Sequence, residues 1–354
     1  MSYTAKICAL FEGVHADVKP LFDPVTQKRK FPKRALARFL ARKNIRDSLT
    51  EAPPDEITKL ANSTDKLDLV PSEILRSFLT DVWDLVPENI KKAIDGTQDP
   101  RAPTQGSSDF IINRELGGWA ETVVAGAVNN AGLEACAISY GRQDRLIAGE
   151  PGFEELYLEH QKELKAIGKR PDLLLYRNAD RPKESFNGKS ANNLIEVAKK
   201  AVAALEVRSS QQTLNEARDP AKLSFTPKVE DIRNVVKWIE LHDVPHYYVQ
   251  VLFGRVYIIG FEHILELLAD SPKSEKYRIA RVARNQFKST IYIPLTLGAC
   301  LSTEFEQPQS LKASIKHLAN GRVVVVVEFS GGKVVFSKDE LQKIIEAAEA
   351  AKRT

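Results

Sequence analysis

Two short apolar strings, KRPDLLLY at 169–176 and AALEVRSS at 203–210, constrain the fold of this chain more than any other part of it. Each reads as a strand, because aliphatic side chains of this kind fill a pleated, buried surface. Each also carries an acid in an otherwise apolar run, Asp172 in the first and Glu206 in the second. An unpaired carboxylate is expensive to bury, so both acids need compensating partners in the folded protein. Alternate residues of a strand share a face, which points Glu206 and Arg208 the same way.

The text around these strings alternates between helical and strand patterns. INRELGGWAETVVAGAVNNAG, from 112, reads as a helix with Leu116, Ala120, Val123, Val124, Ala127 and Val128 on its apolar side and Gly132 as its stop. A strand around ACAISY follows, then a polar segment, FEELYLEHQKELKAIGK, and the PDLLLY strand. NNLIEVAKKAVAA is expected to be helical, VEDIRNVVKWIELHD an amphipathic helix, and FEHILELLAD a further short helix. HYYVQVLF and RVYIIGF form a hairpin turning at Gly254 and Arg255. Near the end, GRVVVVVEF and KVVF flank Ser330, Gly331 and Gly332 as a second hairpin, and Ser337 with Glu340 makes a capping box for the last helix. The sum is an α/β (α+β) fold, a mixed central sheet flanked by helices.

Residues 1–105 have little strand signal and form a helical N-terminal region, with Pro32 in the first turn of one helix and Ser72 opening another. GTQDPRAPTQGSSD, at 96–109, is the best linker. The expected division is therefore 1–105, a core at 106–300, and a C-terminal hairpin and helix at 301–354. Cys8, Cys136 and Cys300 suggest neither a disulfide framework nor a zinc site. No apolar run approaches the roughly 20 residues of a membrane span, and no signal peptide is evident, so a cytoplasmic protein is expected.

The net charge of +4 is too small to identify a partner, and its distribution matters more. Nine cations and no acid lie between Lys28 and Arg46, and Arg34, Arg38, Arg42 and Arg46 recur every four residues, a basic stripe on a helix. A second basic stretch at 273–288 interleaves Lys and Arg with Tyr277 and Phe287 and includes Asn285, Gln286 and Lys288. Either stretch is a solvated face or a contact surface for a nucleic-acid backbone.

Asp172 and Glu206 meet the demand of Mg²⁺, which takes one or two carboxylates and fills its other positions with water and phosphate oxygens. A carboxylate pair, a metal and a nearby cation suffice for phosphodiester hydrolysis. No GxSxG, HExxH or phosphate-cradling glycine loop offers another chemistry. Pro171–Asp172, followed by Glu206, Val207 and Arg208, resembles the PD-(D/E)xK nuclease signature. GGWAE, ending in Glu121, is similar to the acidic helix that precedes this motif in many type II restriction endonucleases. The segment 223–253 resembles the AccI-like subgroup.

The resemblance spans about 110–295. It implies a restriction-endonuclease-like core that hydrolyses both strands of a short DNA site with Mg²⁺, or Mn²⁺ as substitute, and leaves 5′-phosphate ends. It further implies a prokaryotic source and a homodimer on double-stranded DNA. Asp172, Glu206 and Glu121 become metal ligands and Arg208 the catalytic cation. Arg208 departs from the family's lysine and, with its high pKa, cannot act as a base. Either it replaces the lysine directly, or Lys228, Lys222 or Lys199 supplies an ammonium. Glu121 is either a ligand or an exposed helix acid, while Glu115 and the Glu196–Lys199 pair are expected on helix surfaces. Ser209, Ser210, Gln211 and Gln212 follow the strand either as DNA contacts or as local caps. Gln250 is either a member of the site or a satisfied sheet residue. Outside the restriction reading stand a repair or recombination nuclease without sequence preference and a DNA-binding regulator whose two acids are structural.

Overall fold

In a computed structural model of the chain, the residues described are 2–22, 30–32, 69–71, 84, 108–142, 146, 151–183, 186, 194–210, 223–282, 285–307, 309–317 and 323–353. The chain divides into two compact units, one of residues 1–22, 106–280 and 289–354 and one of 23–105 and 281–288. In chain order the described elements begin with helix α1 (Tyr3–Glu12), strands β1 (Lys30–Pro32) and β2 (Leu69–Pro71), helix α2 (Ser108–Asn129), strand β3 (Ala135–Ser139), helix α3 (Phe153–Ile167) and strand β4 (Leu173–Arg177). Helix α4 (Ile195–Ala198), strands β5 (Ala203–Ser209) and β6 (Ser224–Phe225), helix α5 (Val229–His242), strands β7 (His246–Leu252) and β8 (Arg255–Gly260) and helix α6 (Phe261–Ala269) follow. The chain ends with strands β9 (Arg278–Val282), β10 (Asn285–Pro294), β11 (Ala299–Ser302), β12 (Gln309–His317) and β13 (Val323–Gly331) and helix α7 (Lys338–Arg353).

The core is a six-stranded mixed sheet in the order β11–β8–β7–β5–β4–β3. Only β5 and β7 run parallel, joined through α5; all other neighbours in this sheet are antiparallel. Helices cover both faces, which is why β4 and β5 read as continuous apolar runs rather than as alternation. On one face Leu174, Tyr176, Ala204 and Tyr248 pack with α1, α5 and α6. On the other, Leu173, Leu175, Leu205, Val207 and Val249 pack with α2 and α7. Helix α5 buries Val229, Ile232, Val235, Val236 and Ile239, the i, i+3, i+4 spacing of a core-facing stripe. Asp243 closes it in the left-handed region (φ 53°) and accepts hydrogen bonds from the Thr4 backbone N–H (2.8 Å) and hydroxyl (2.5 Å), fastening α1 to the core.

Several expectations change. Pro32 lies in strand β1, paired with Leu69 of β2, rather than in a helix turn; its fixed φ and missing N–H suit a strand end as well as a helix start. Of the helix expected over NNLIEVAKKAVAA, the described residues form Ile195–Ala198, and Ala203 onward is drawn into the sheet between β4 and β7. The polar segment after β3 is the fifteen-residue helix α3. The first hairpin turns at Phe253–Gly254, with Gly254 at φ 99° and Arg255 already in β8. The last hairpin pairs β13 with the preceding β12 and not with KVVF. Gly331 and Gly332, both at positive φ, instead turn the chain so that Val334 bridges Phe305. Only half of the capping box forms: the Glu340 N–H donates to Ser337 Oγ (3.4 Å) at the start of α7, while the Ser337 N–H donates to Leu301 O (2.7 Å) and the Glu340 carboxylate takes Lys343 (2.7 Å). No helix among the described residues is long and apolar enough to cross a membrane.

Candidate functional site

Asp172 sits immediately before β4, where its backbone is tied on both sides: its N–H donates to Leu205 O (3.1 Å), and its carbonyl accepts from Tyr140 N (2.9 Å) and Gly141 N (3.0 Å). Its carboxylate crosses to β5, with Oδ2 accepting from the Val207 N–H at 2.7 Å. Gly141 allows this approach, since a Cβ there would come within 3.3 Å of Asp172 Cα. Glu206 projects from β5 and is 1% exposed. Arg208, on the same face, contacts Glu206 Oε1 at 2.9 Å. Both strings therefore converge on one site.

Two further residues complete it. Lys169, three positions before Asp172, bonds Glu206 Oε1 and, at 2.9 Å, Asp231 Oδ2. Asp231, in the first turn of α5, also takes Arg208 at 2.7 Å. Lys169 is placed by the junction of α3 and α5. Gly168 ends α3 at φ 78°, ψ −162°, a conformation that glycine alone tolerates, and a Cβ there would collide with Asn234 O and with Trp238 N (2.7 Å). The Lys169 N–H donates to Asn234 O at 2.9 Å. The sequence reading passed over Lys169 although it stands in the KRPDLLLY string, because the family pattern looks for a cation two residues after the second acid. Of the rival lysines, Lys228 donates to Thr290 Oγ1 (2.6 Å) and Lys199 pairs with Glu196 (2.8 Å) on the surface; Lys222 lies outside the described residues.

Glu121, half-buried on α2, feels the charges of Glu206, Lys169 and Arg208. Burial first, and then the Glu206 charge, push its carboxyl up to about 7. Asp172 is raised well above the usual carboxylate range by burial and by the neighbouring Glu206 and Glu121. Burial acts upward on Asp231 too, yet Lys169 and Arg208 outweigh it and hold that carboxyl at about 2. Glu115, by contrast, pairs with Arg114 (3.1 Å).

Four carboxyl groups thus share two cations, Lys169 and Arg208, and the mutual repulsion that helps raise Asp172 and Glu121 is what a divalent ion would relieve. Glu206 Oε2 is buried and without a partner, a free hard-oxygen donor. No three His, Cys, Asp or Glu side chains among the described residues already close on one point. The donor set therefore fits Mg²⁺, which needs only one or two carboxylates, better than an ion that wants an all-protein cage.

Of the expected DNA-contact residues, Ser209 ends β5 and Ser210 continues its line, donating from its backbone N–H to Val251 O (3.1 Å). Asn285, Gln286 and Lys288 lie on β10, of whose side chains nothing is described there. Arg34, Arg38, Arg42, Gln211 and Gln212 lie outside the described residues. Gln250 is buried on β7, beside Arg208 in the parallel register.

A mixed sheet flanked by helices, with an acid just before β4 and another on the adjacent β5 meeting beside a lysine and an arginine, is the layout of a PD-(D/E)xK-type nuclease core. The family model described as "AccI restriction endonuclease" matches residues 77–219 and 211–351, most of the chain, and the protein belongs to that family. No curated protein and no solved structure matches it. Membership supports nuclease activity in general and implies DNA binding and the divalent-cation dependence typical of PD-(D/E)xK enzymes.

Proposed function

We propose that the chain is a type II restriction endonuclease that cuts both strands of a short specific DNA site in the presence of Mg²⁺, in the cytoplasm of a prokaryote. The observation that carries this reading is the cluster of Asp172, Glu206, Asp231, Lys169 and Arg208, in which acids outnumber bases at the junction of β4, β5 and α5. A divalent cation, Mg²⁺ with Mn²⁺ as substitute, held by Asp172 and Glu206, with Glu121 as a further ligand to it or to its water, would supply Lewis-acid polarisation of the scissile phosphate.

The chain's own residues do the rest. Water attacks phosphorus and releases a proton to solvent, the bond to O3′ breaks, and O3′ takes a proton from solvent, so that a 5′-phosphate and a 3′-hydroxyl are left. Lys169 and Arg208 stabilise the extra negative charge of the phosphorane-like transition state, for donors held in place before the reaction cost nothing to reorganise. Asp231, ionised down to about pH 2, keeps both cations in position. Arg208 remains protonated and cannot accept the water's proton. Burial and the Arg208 charge act downward on Lys169, yet Asp231 and Glu206 outweigh them, so it too stays protonated and stands as a second cation where the family has its lysine.

Ser209 and Ser210, which follow Arg208 at the end of β5, contact the duplex together with Gln211; Asn285, Gln286 and Lys288, and Arg34, Arg38 and Arg42, add contacts to its backbone. The N-terminal region serves as clamp or dimer contact. One centre per chain and two strands to cut call for a C2 homodimer on a palindromic site. Plasmid incubated with Mg²⁺ tests the reading. Discrete fragments whose sequenced ends share one short motif support it. Smearing would indicate a nuclease without sequence preference, and a mobility shift without cutting a DNA-binding regulator.

A further inference from the structure

Behind the acids lies a group of polar atoms with no partner. Glu206 Oε2, Arg208 Nε, the Tyr248 hydroxyl and Gln250 Nε2 are all buried and unbonded. The parallel ladder sets Glu206 beside Tyr248 and Arg208 beside Gln250, so the four residues form a two-by-two block on one face of β5 and β7. Glu206, Tyr248 and Gln250 are each 1% exposed. Leaving a single such atom unbonded costs about 1–3 kcal/mol, so the three besides Glu206 Oε2, the oxygen left for the cation, are too expensive to remain dry.

The side chains have little freedom to relieve this by moving. Thr226 Oγ1 donates to Gln250 Oε1 at 3.0 Å and holds that end of the amide. Exchanging the amide's oxygen and nitrogen would still leave its other end unbonded. The Tyr248 ring stacks on Phe261 (6.3 Å between centroids) and lies against His246 (5.8 Å). Chemically the block is complementary to water: a carboxylate oxygen accepts, the amide and guanidinium N–H groups donate, and the phenol does either.

We propose that Tyr248 and Gln250 are positioning residues of the nuclease centre, binding ordered water behind Glu206 and Arg208 and thereby fixing the carboxylate for the cation and the guanidinium for the phosphate. This rests on the nuclease reading above and adds to it a second layer drawn from β7. That strand lies outside both halves of the PD…ExR motif, and its polar residues touch no DNA in this scheme.

The test uses the full-length chain as wild type, Tyr248→Phe, Gln250→Met and Asp172→Asn. Manganese binding without DNA is measured by calorimetry, cleavage of a plasmid site in Mg²⁺ gives kcat and KM, and a thermal melt reports folding. Partners behind a metal ligand typically contribute about 10–100-fold to metal affinity or rate. Tyr248→Phe and Gln250→Met are therefore expected to weaken Mn²⁺ binding and lower kcat by about tenfold or more, with KM and Tm close to wild type. Wild-type Mn²⁺ affinity and kcat in both variants would overturn the proposal. So would losses that track a fall in Tm, which mark a packing role. If wild type cuts and Asp172→Asn does not, either result condemns only the positioning role; a wild-type protein that never cuts DNA condemns the nuclease reading itself.

Discussion

Lys169 reaches the site only because Gly168 adopts a backbone conformation closed to other residues. Gly168→Ala would place a methyl against the α5 backbone, and it is expected to lower stability by about 2–3 kcal/mol, read as a lower urea midpoint. Removing the ammonium itself acts on chemistry. Lys169→Met is expected to cut the cleavage rate by about 10²-fold or more, on the scale of losing one transition-state donor, while the variant still binds DNA in Ca²⁺. Arg208→Lys, which preserves the charge beside Glu206 and Asp231, should retain more activity than Lys169→Met. The reverse order would return the family lysine's role to position 208. Asp172, Glu206 and Arg208 were legible in the sequence because a charged residue inside an apolar strand announces itself. Lys169 and Asp231 were not, since their approach depends on how α3 abuts α5, and neither a loop lysine nor a first-turn acid stands out from ordinary surface residues.

At the scale of elements, period and punctuation carried the reading where a segment packs by itself, as in α5, α6 and the β7–β8 hairpin. They failed where a distant partner decides. QSLKASIKH alternates polar with apolar residues and passed unremarked, yet it is the strand that pairs with β13 along its whole length. The glycines after β13 signalled a turn correctly but could not say which strands that turn joins. What fastens β13 to the core is Trp119 of α2. Its indole N–H donates to Gly331 O (2.9 Å), and its ring meets Phe329, Phe305 and Phe253 at 5.8–6.2 Å between centroids. Trp119→Phe is expected to cost about 1 kcal/mol for the lost hydrogen bond. Its signature would be faster amide exchange over Val323–Gly331 with little change in α5. Uniform acceleration across the core would show instead that Trp119 supports the whole sheet.

For the whole molecule, one buried histidine links stability to pH. His246 lies under α6 against Trp238, Tyr248 and Phe261. Burial first, then the charges of Lys169 and Arg208, hold its imidazole at about 3. The unfolded chain takes up this proton below about 6.5, so the contribution is full above that pH and is lost as pH falls, by up to about 1.4 kcal/mol per unit. Urea midpoints at pH 7 and 5 should therefore drop more for wild type than for His246→Leu, a difference that cancels the carboxylates common to both. Equal drops would mean that the imidazole titrates freely in the folded protein.

The central claim is that the acids of β4 and β5 form one metal-dependent nuclease centre, and cleavage set beside binding tests it most directly. Wild type, Asp172→Ala and Glu206→Ala are each incubated with plasmid in Mg²⁺, and their DNA affinity is measured in Ca²⁺. The account predicts discrete fragments from wild type alone, with both variants still binding DNA. Full cleavage by either variant would contradict it.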